Sequence, residues 1–286
     1  MNTVFACPVC GAALTLDAAA ATCANKHTFD RARNGYVNLL LSNKKQSAEP
    51  GDSLAMLQSR RAFLEGGYYD QMAAAAITAL ADVVSSAAVP SDGERHIADL
   101  GCGEGFFTAR AHAALATATT VPPTFYGVDI SRPGIKMAAS RGQDIRWIVA
   151  SLHRSPFLPA SLSAALSVFA PIDAADVRRV LRDDGALITV TPGPDHLDAL
   201  RIIIYSSVKP HPPTPALMAG DTLFTHLSST RVRYPIALES QSEIMHLLAM
   251  TPYYWHISRG TRAAIEELQR LELTVDAYVN VFRPAK

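Results

Sequence analysis

Short apolar runs alternate with helical stretches over residues 96–195, and this rhythm is typical of βαβ units that build a parallel sheet. The pattern predicts five strands, over residues 96–100, 124–128, 145–149, 164–169 and 185–191. A helical stretch over residues 106–115 follows the first strand directly. We therefore expect an α/β domain whose sheet is mostly parallel.

The regions on either side of these units have different patterns. Residues 41–95 are polar at first and then alanine-rich with a helical spacing. Prolines at 210, 212 and 213 predict a Pro-rich loop near residues 209–215. Beyond it we expect a strand near 230–234, helices near 242–249 and 262–271, and a final strand near 273–282. A strand placed after the α/β units suggests an antiparallel edge added to the sheet.

Composition and charge narrow the class of protein. The chain has 286 residues, of which 49% are hydrophobic, and its 26 Lys and Arg balance 26 Asp and Glu. Wholesale disorder is therefore excluded, and a nucleic-acid partner would need a local basic patch because there is no net charge. No apolar run reaches the ~18 residues of a membrane span, and no secretory signal is evident. We expect a cytoplasmic protein with no membrane partner.

Three of the four cysteines lie near the start of the chain. Cys7 and Cys10 form a CxxC turn next to Gly11, and Cys23 and His27 follow as a second pair. Two thiolates at this spacing can face one metal, and the second pair completes a tetrahedron. We predict one structural Zn²⁺ per chain, with no open position for catalysis. A chance cluster of reduced cysteines is the alternative.

These features divide the chain into three predicted regions, which are a zinc-binding domain over 1–40, a helical linker over 41–95 and an α/β domain over 96–286. The first two regions include a basic stretch. From Lys26 to Arg61 there are seven Lys or Arg against three acids, a balance of 7 − 3 = +4, with Tyr36 interleaved. Such a stretch suits phosphate contact and base stacking, although a solvated face has the same composition.

A glycine turn after the first α/β strand gives the strongest catalytic signal. The sequence Asp99-Leu100-Gly101-Cys102-Gly103-Glu104-Gly105 has the pattern acid-x-GxGxG, which is associated with S-adenosylmethionine (AdoMet). Glycines are needed where a chain turns sharply or lets a ligand approach its backbone. The dinucleotide pattern GxGxxG would require glycine at the position of Phe106. A turn that serves only packing is the alternative.

Other candidate residues follow the later strands, at the edge of the sheet where ligands of such folds bind. Asp129 ends the second strand, where a carboxylate can accept hydrogen bonds from ribose hydroxyls. Ser151 and Leu152 follow the third strand, near the expected adenine position. After the fourth strand, the expected loop at the target base contains Phe169, Ala170 and Pro171.

The combined motifs resemble those of the RlmA family of bacterial 23S rRNA (guanine-N1)-methyltransferases. The matching runs cover nearly the whole chain and lie at residues 7–10, 23–30, 35–40, 50–53, 60–64, 99–105, 191–197 and 250–252. One departure is the segment Ser167-Val168-Phe169, where close relatives are expected to have an arginine and a tyrosine. The resemblance favours the Gram-negative-type branch over the macrolide-resistance branch.

The resemblance implies a Rossmann-like class I AdoMet-dependent methyltransferase domain, preceded by a small N-terminal zinc-ribbon-like domain that recognises an rRNA hairpin loop. It also implies a homodimer, a G745-type target in domain II of 23S rRNA, and cofactor contacts from Tyr69, Gly103, Glu104 and His196. Asp99, Gly101, Asp129, Ser151 and Leu152 complete the predicted cofactor-binding set.

The implied reaction is in-line transfer of a methyl group from the sulfonium of AdoMet to N1 of a guanine. Asp99, Glu104 and Asp129 are expected to hold the cofactor, and the sequence leaves the general base unassigned. Three other functions stay open: methylation of a small molecule or another RNA, zinc-dependent RNA binding without catalysis, and nicotinamide-dependent oxidoreduction. Phe106 in place of the required glycine weakens the last of these.

Overall fold

The computed structural model describes residues 3–17, 19–41, 50–87, 93–119, 121–142, 144–205, 222–251, 254 and 257–285. The Pro-rich loop predicted near 209–215 lies outside the described residues. So do Pro252 of the last matching run and three charged members of the basic stretch, Lys44, Lys45 and Glu49.

The described residues form two sheets flanked by helices. The strands are β1 Leu14–Leu16, β2 Ala20–Cys23, β3 Thr28–Asp30, β4 Val37–Asn38, β5 His96–Leu100, β6 Thr124–Asp129, β7 Arg146–Val149, β8 Leu162–Val168, β9 Leu181–Pro192, β10 Phe224–Leu238 and β11 Leu271–Pro284. The helices are α1 Leu54–Glu65, α2 Asp70–Ser86, α3 Phe106–Ala118, α4 Arg132–Ala138, α5 Ala174–Val180, α6 Asp198–Ile204, α7 Gln241–Met250 and α8 Arg259–Glu266.

The larger sheet has eight strands in the order β10-β11-β9-β8-β5-β6-β7-β4. The six strands from β9 to β4 are parallel to one another, whereas β11 is antiparallel to both β9 and β10. Strand β5 is buried at all five positions, as its continuous apolar run requires for a central strand. The chain first adds strands on one side of β5 and then crosses to the other side, so the strand order reverses between β5 and β8.

The five predicted α/β strands are present, and their order gives the predicted parallel sheet. The edge prediction is wrong in one respect, because the last strand, β11, lies inside the sheet and β10 forms the outer edge. The long pairing of β10 with β11 extends both strands well beyond their predicted limits. Strand β10 is exposed at most positions, so backbone hydrogen bonds rather than side-chain burial define its length.

The two helices described in residues 41–95, α1 and α2, pack against other elements of the fold. Helix α2 buries Met72, Ala76, Leu80 and Val83 at helical spacing, and this face packs against β8, β9 and β11. Helix α1 begins at an N-cap whose Ser53 hydroxyl accepts a hydrogen bond from the backbone, and it packs against α7. The three-region division itself stays a prediction, but its middle region is joined closely to the large sheet.

The N-terminal module is also joined to the large sheet. Its three-stranded sheet, β1-β2-β3, leads into β4, which pairs in parallel with β7. The Phe5 ring packs edge-on against Tyr126 of β6, with ring centroids 5.2 Å apart, and stacks on Phe157 at 5.5 Å. All three rings are buried. One apolar core therefore extends from the module into the sheet.

The helices that the structure describes contain no segment with both the length and the hydropathy needed to span a membrane.

Candidate functional site

An open cavity of about 1470 Å³ lies at the carboxyl edge of the large sheet, where the strand order reverses. The ends of β5, β6, β8 and β9 form its floor, and residues of α1 and the end of α7 form a side wall. Ligands of open α/β sheets bind at this position. The volume exceeds the roughly 300 to 1000 Å³ of most small-molecule pockets. The cavity thus has room for a cofactor and a second ring system.

The glycine turn follows β5 and lines this cavity with backbone. Gly101 has φ +86°, and a Cβ built there would lie 2.4 Å from the Cβ of Ala170. Gly103 has φ +55°, and among the described residues other than its chain neighbours, its Cβ would approach within 4 Å only the Nη1 atom of Arg60, at 3.2 Å. Only glycine adopts such conformations without strain. The turn therefore exposes main-chain atoms where a ligand can approach them.

Asp129 supports the glycine turn from the neighbouring strand. Its Oδ2 accepts a hydrogen bond of 2.8 Å from the Gly103 N–H, and its Oδ1 accepts one of 2.7 Å from the Ser131 N–H. Burial raises the pKa of Asp129, although these backbone hydrogen bonds act in the opposite direction. Each carboxylate oxygen has two lone pairs, so both can accept a further hydrogen bond from a ligand hydroxyl.

Glu104 is buried and tied to two arginines. Its Oε2 accepts hydrogen bonds of 2.8 Å from the Nε atoms of both Arg61 and Arg141. Its Oε1 is buried without a hydrogen-bond partner among the described residues. The carboxylate thus links α1 and the segment after α4 to the glycine turn, while Glu104 also lines the cavity.

Three neighbouring aromatic side chains line the same cavity. The Phe169 ring centroid lies 5.2 Å from that of His196 and 6.1 Å from that of Tyr69. The Tyr69 hydroxyl is 3.1 Å from His196 Nε2, and both of these residues are buried. Phe169 has φ +53° and is 40% exposed. A strained backbone that presents an exposed ring beside a ligand cavity is a feature of functional sites.

The remaining predicted site residues are distributed as follows. Leu152, Ala170 and Pro171 line the cavity. Ser151 is not among the lining residues, and its hydroxyl accepts a hydrogen bond from the His153 N–H at 3.2 Å. The structure therefore gives no support to a direct contact from Ser151, while the other predicted residues share one cavity.

The predicted zinc ligands converge at a second site, in the N-terminal module. The ligand atoms of Cys7, Cys10, Cys23 and His27 all lie within 4.8 Å of one another. The Cys10 and Cys23 sulfurs are 3.8 Å apart, and the Cys23 sulfur is 3.4 Å from His27 Nδ1. A tetrahedral site with Zn–S bonds of about 2.3 Å places sulfurs at about this separation.

Two family models match the chain. The model described as RlmA, N-terminal, matches residues 5–48, and the model described as Methyltransferase domain matches residues 97–185. The first covers the module with the cysteine and histidine cluster. The second begins in β5, covers the glycine turn and strands β6, β7 and β8, and ends within β9.

Several named proteins are similar to this chain over nearly its whole length. A Streptomyces fradiae protein named 23S rRNA (guanine(748)-N(1))-methyltransferase is 30% identical over 97% of this chain and 96% of its own. A Bacillus subtilis protein named for 23S rRNA (guanine-N1)-methyltransferase activity is 32% identical over 96% of this chain and 95% of its own. The chain belongs to this methyltransferase family. A Micromonospora griseorubida relative with the same activity in its name is 33% identical.

Membership of this methyltransferase family confirms the expected fold class and the expected cofactors, AdoMet and zinc. The cavity fits AdoMet, because it combines a backbone cradle at Gly103 with a carboxylate at the end of β6 and an apolar flank that includes Leu152. The assignment of individual cofactor-contacting residues stays a prediction. So does the expected Gram-negative-type branch.

The N-terminal module of this methyltransferase also fits its metal. The donor set of three sulfurs and one imidazole nitrogen is one that Zn²⁺ prefers in closed structural sites. Hydrogen bonds, led by that from the Ala12 backbone, lower the pKa of Cys10 to about 6. A thiol with this pKa is largely a thiolate at neutral pH, which is the form that binds a metal.

Sequence reasoning missed Asp276, a fully buried residue of β11 that supports the predicted His196. The Asp276 N–H donates to His196 Nδ1 at 3.3 Å. Its carboxylate accepts hydrogen bonds from the Asp195 N–H at 2.9 Å and from Arg231 Nε at 2.8 Å. An acid in a strand near the end of the chain has no local motif, so only the fold connects it to the site.

Asp99 provides a prediction about pH. Burial raises the pKa of its carboxyl to about 7, although the Thr108 hydroxyl donates to it at 2.6 Å. The folded state therefore holds this proton more tightly than the unfolded chain, whose Asp pKa is about 3.9. Stability contributed by the neutral carboxyl is lost as pH rises from about 4 to about 7. Over this pH range the wild-type free energy of unfolding should therefore fall by about 1 to 4 kcal/mol because of Asp99, and we expect this fall to be absent in Asp99→Asn.

The check is urea unfolding of both proteins at pH 5 and pH 8, without cofactor. The exposed Asp183→Asn variant is the control, and it should keep the wild-type change between the two pH values. An Asp99→Asn variant with that same change would contradict the prediction.

Proposed function

We propose that this protein transfers a methyl group from AdoMet to N1 of a guanine in a hairpin loop of 23S rRNA. One observation carries the proposal. The exposed Phe169 ring stands beside the glycine turn and Asp129 in one cavity, within a family whose named members methylate this atom of 23S rRNA. A cofactor site and an adjacent surface for a flat base are the two parts that the reaction needs.

AdoMet supplies an electrophilic methyl group, whose bond to sulfur breaks as its bond to guanine N1 forms; the sulfonium leaves as the neutral thioether S-adenosylhomocysteine, and the N1 proton passes to water. The chain contributes mainly orientation. Asp129 accepts hydrogen bonds from the ribose hydroxyls, and the backbone at Gly103 approaches the methionyl part. Phe169 stacks on the guanine, which is the role of aromatic side chains in recognising unpaired bases. N1 is hidden in paired guanine, which favours a loop as substrate.

The zinc module is proposed to contact the rRNA hairpin. Lys26, Arg31 and Arg33 are exposed on it. Fewer residues of the basic stretch are available to contact RNA than the sequence suggests. Arg61 forms an ion pair with Glu104, and Arg60 lines the cavity. The interpretation of Tyr36 as a stacking residue is wrong, since Tyr36 is buried and its hydroxyl accepts a hydrogen bond from Arg132. We also propose that the protein acts in the cytoplasm as a homodimer.

Two other functions are less well supported. A small-molecule methyltransferase would have no use for the zinc module, which lies in the part of this chain that matches the RlmA N-terminal model. A zinc protein without catalysis would not need the open glycine turn or the acid at the end of β6. Both alternatives predict no methyl transfer to 23S rRNA.

The test is transfer of a labelled methyl group from AdoMet to unmodified 23S rRNA, followed by mapping of the product by reverse transcription. N1 methylation blocks pairing, so we expect one strong stop at a guanine of a domain II hairpin. The stop also separates the G745-type position from guanine 748, the position in the name of the Streptomyces relative. AdoMet binding without transfer to rRNA would overturn the proposal.

Phe169→Ala gives a more specific result in the same assay. Stacking of a base on an aromatic side chain contributes about 1 to 3 kcal/mol, so transfer should fall roughly 5- to 100-fold. AdoMet affinity should change little. Ile202→Ala, which removes an exposed apolar side chain outside the cavity, is the control and should keep wild-type transfer. Equal transfer by the Phe169→Ala and wild-type proteins would contradict the stacking role.

A further inference from the structure

The cavity is lined by more acidic than basic side chains. Five carboxylates are among the lining residues, whereas Arg60 is the one arginine or lysine among the lining residues that the structure describes. The five acids are Asp52, Asp99, Glu104, Asp129 and Asp173. Glu104 is already neutralised by Arg61 and Arg141. Arg60 is thus the one arginine or lysine of the described lining that an anionic group entering this cavity can meet.

The guanidinium of Arg60 is held over the glycine turn. Its Nη1 forms an ion pair of 2.6 Å with Asp52 Oδ2, and its Nη2 donates to the Met250 carbonyl at 3.4 Å. The same Nη1 lies 3.2 Å from the position of a Cβ at Gly103. Among the described residues these contacts engage two of the five guanidinium N–H donors, which leaves others that can face a ligand.

Asp52 holds the guanidinium in place. The Asp52 carbonyl accepts a hydrogen bond of 2.8 Å from the Ser131 hydroxyl, which ties this residue to the segment after β6. A Cβ at Gly51 would lie 2.9 Å from the Cβ of Ser131, so the two segments are in close contact. Arg60 is therefore oriented from α1, from residue 52 and from the end of α7.

AdoMet carries one anionic group, the α-carboxylate of its methionyl part. A planar guanidinium binds a carboxylate through two parallel hydrogen bonds, which a point charge such as lysine does not reproduce. We propose that Arg60 binds the α-carboxylate of AdoMet and that Asp52 is a positioning residue for Arg60. This inference rests on the proposed function, because it names a contact of the same cofactor. It predicts discrimination against adenosyl thioethers that lack the carboxylate.

The test is calorimetric binding of two ligands, S-adenosylhomocysteine and its decarboxylated analogue, 5′-deoxy-5′-(3-aminopropylthio)adenosine. We expect the wild-type protein to prefer the first by about 10- to 100-fold, as one charge-assisted contact provides. Arg60→Met should lose this preference: its affinity for S-adenosylhomocysteine falls by the same factor, and its affinity for the analogue does not fall. Arg60→Gln, a second neutral variant, should give the same result and carries the test if Arg60→Met does not fold.

The control variant is Arg178→Met, which breaks an exposed ion pair with Asp183 outside the cavity and should keep the wild-type preference. Equal weakening of both ligands by a folded Arg60 variant would show a structural role and overturn the inference. Retention of the full wild-type preference would overturn it as well. A wild-type protein that binds neither ligand would instead contradict the proposed function.

Discussion

Gly103→Leu should abolish AdoMet binding while the protein remains folded. In the part of the chain that the structure describes, the one contact of a Cβ at this position within 4 Å, chain neighbours aside, is the end of the flexible Arg60 side chain, so the fold can accept it. The rest of a leucine side chain then occupies the space above the glycine turn, where the methionyl part of the cofactor is expected. Leucine at φ +55° also costs roughly 1 to 2 kcal/mol. We expect affinity to fall by more than about 100-fold, a loss above about 2.7 kcal/mol.

A matched control separates the blocked cavity from the backbone strain. Gly93 has φ +72°, and within the described part of the chain a Cβ there meets no atom within 4 Å apart from those of its two chain neighbours. Gly93→Leu should therefore show a similar loss of stability but keep wild-type AdoMet affinity. Calorimetric titration and thermal unfolding of the three proteins provide the measurement. Equal affinity of the Gly103→Leu and wild-type proteins would mean that the cofactor does not lie over the turn.

Cys23→Ser should release the structural zinc and lower the stability of the whole chain. Closed zinc sites contribute about 10 to 16 kcal/mol of apparent binding free energy in small modules, and a serine hydroxyl replaces a thiolate poorly. Loss of the zinc should also destabilise the large sheet, because Phe5 of the module and Tyr126 of the sheet pack in one apolar core. We expect the melting temperature to fall by roughly 10 °C or more and transfer to rRNA to be lost.

Metal analysis checks this result directly. The wild-type protein should contain about one zinc per chain, and Cys23→Ser should contain almost none. Cys102→Ala is the control, because Cys102 is the one cysteine outside the cluster and its loss should leave the zinc content unchanged. Stoichiometric zinc in the Cys23→Ser protein would show that the cluster is not the site. Loss of zinc with an unchanged melting temperature would show that the module and the sheet are independent.

The features that could be predicted from the sequence are those encoded locally. The CxxC turn and the glycine turn each place their functional atoms within a few residues, and the structure keeps both arrangements. The continuous apolar runs of the central strands are equally local. These segments carry the fold class, the zinc cluster and the floor of the cavity.

The features that could not be predicted depend on contacts between distant segments. Arg60 and Met250 are 190 positions apart, and Asp276 and His196 are 80 apart. The burial of Tyr36 has the same origin, since its hydroxyl meets Arg132 from a different part of the chain. Strand β10 is mostly exposed, and its pairing with β11 sets its length. Its sequence therefore has no alternating apolar pattern from which that length could be predicted.

The packing of α1 against α7 has a consequence for biosynthesis. A chain leaves the ribosome from its N-terminus and folds as it emerges, so the zinc module and the glycine turn are made long before the segment that contains Met250 and Asp276. The wall around Arg60 and the support of His196 are absent until that segment arrives. A nascent chain therefore gains its catalytic competence only after residues 250 and 276 have been made, and fragments that stop before residue 250 should not modify the ribosomes that produced them.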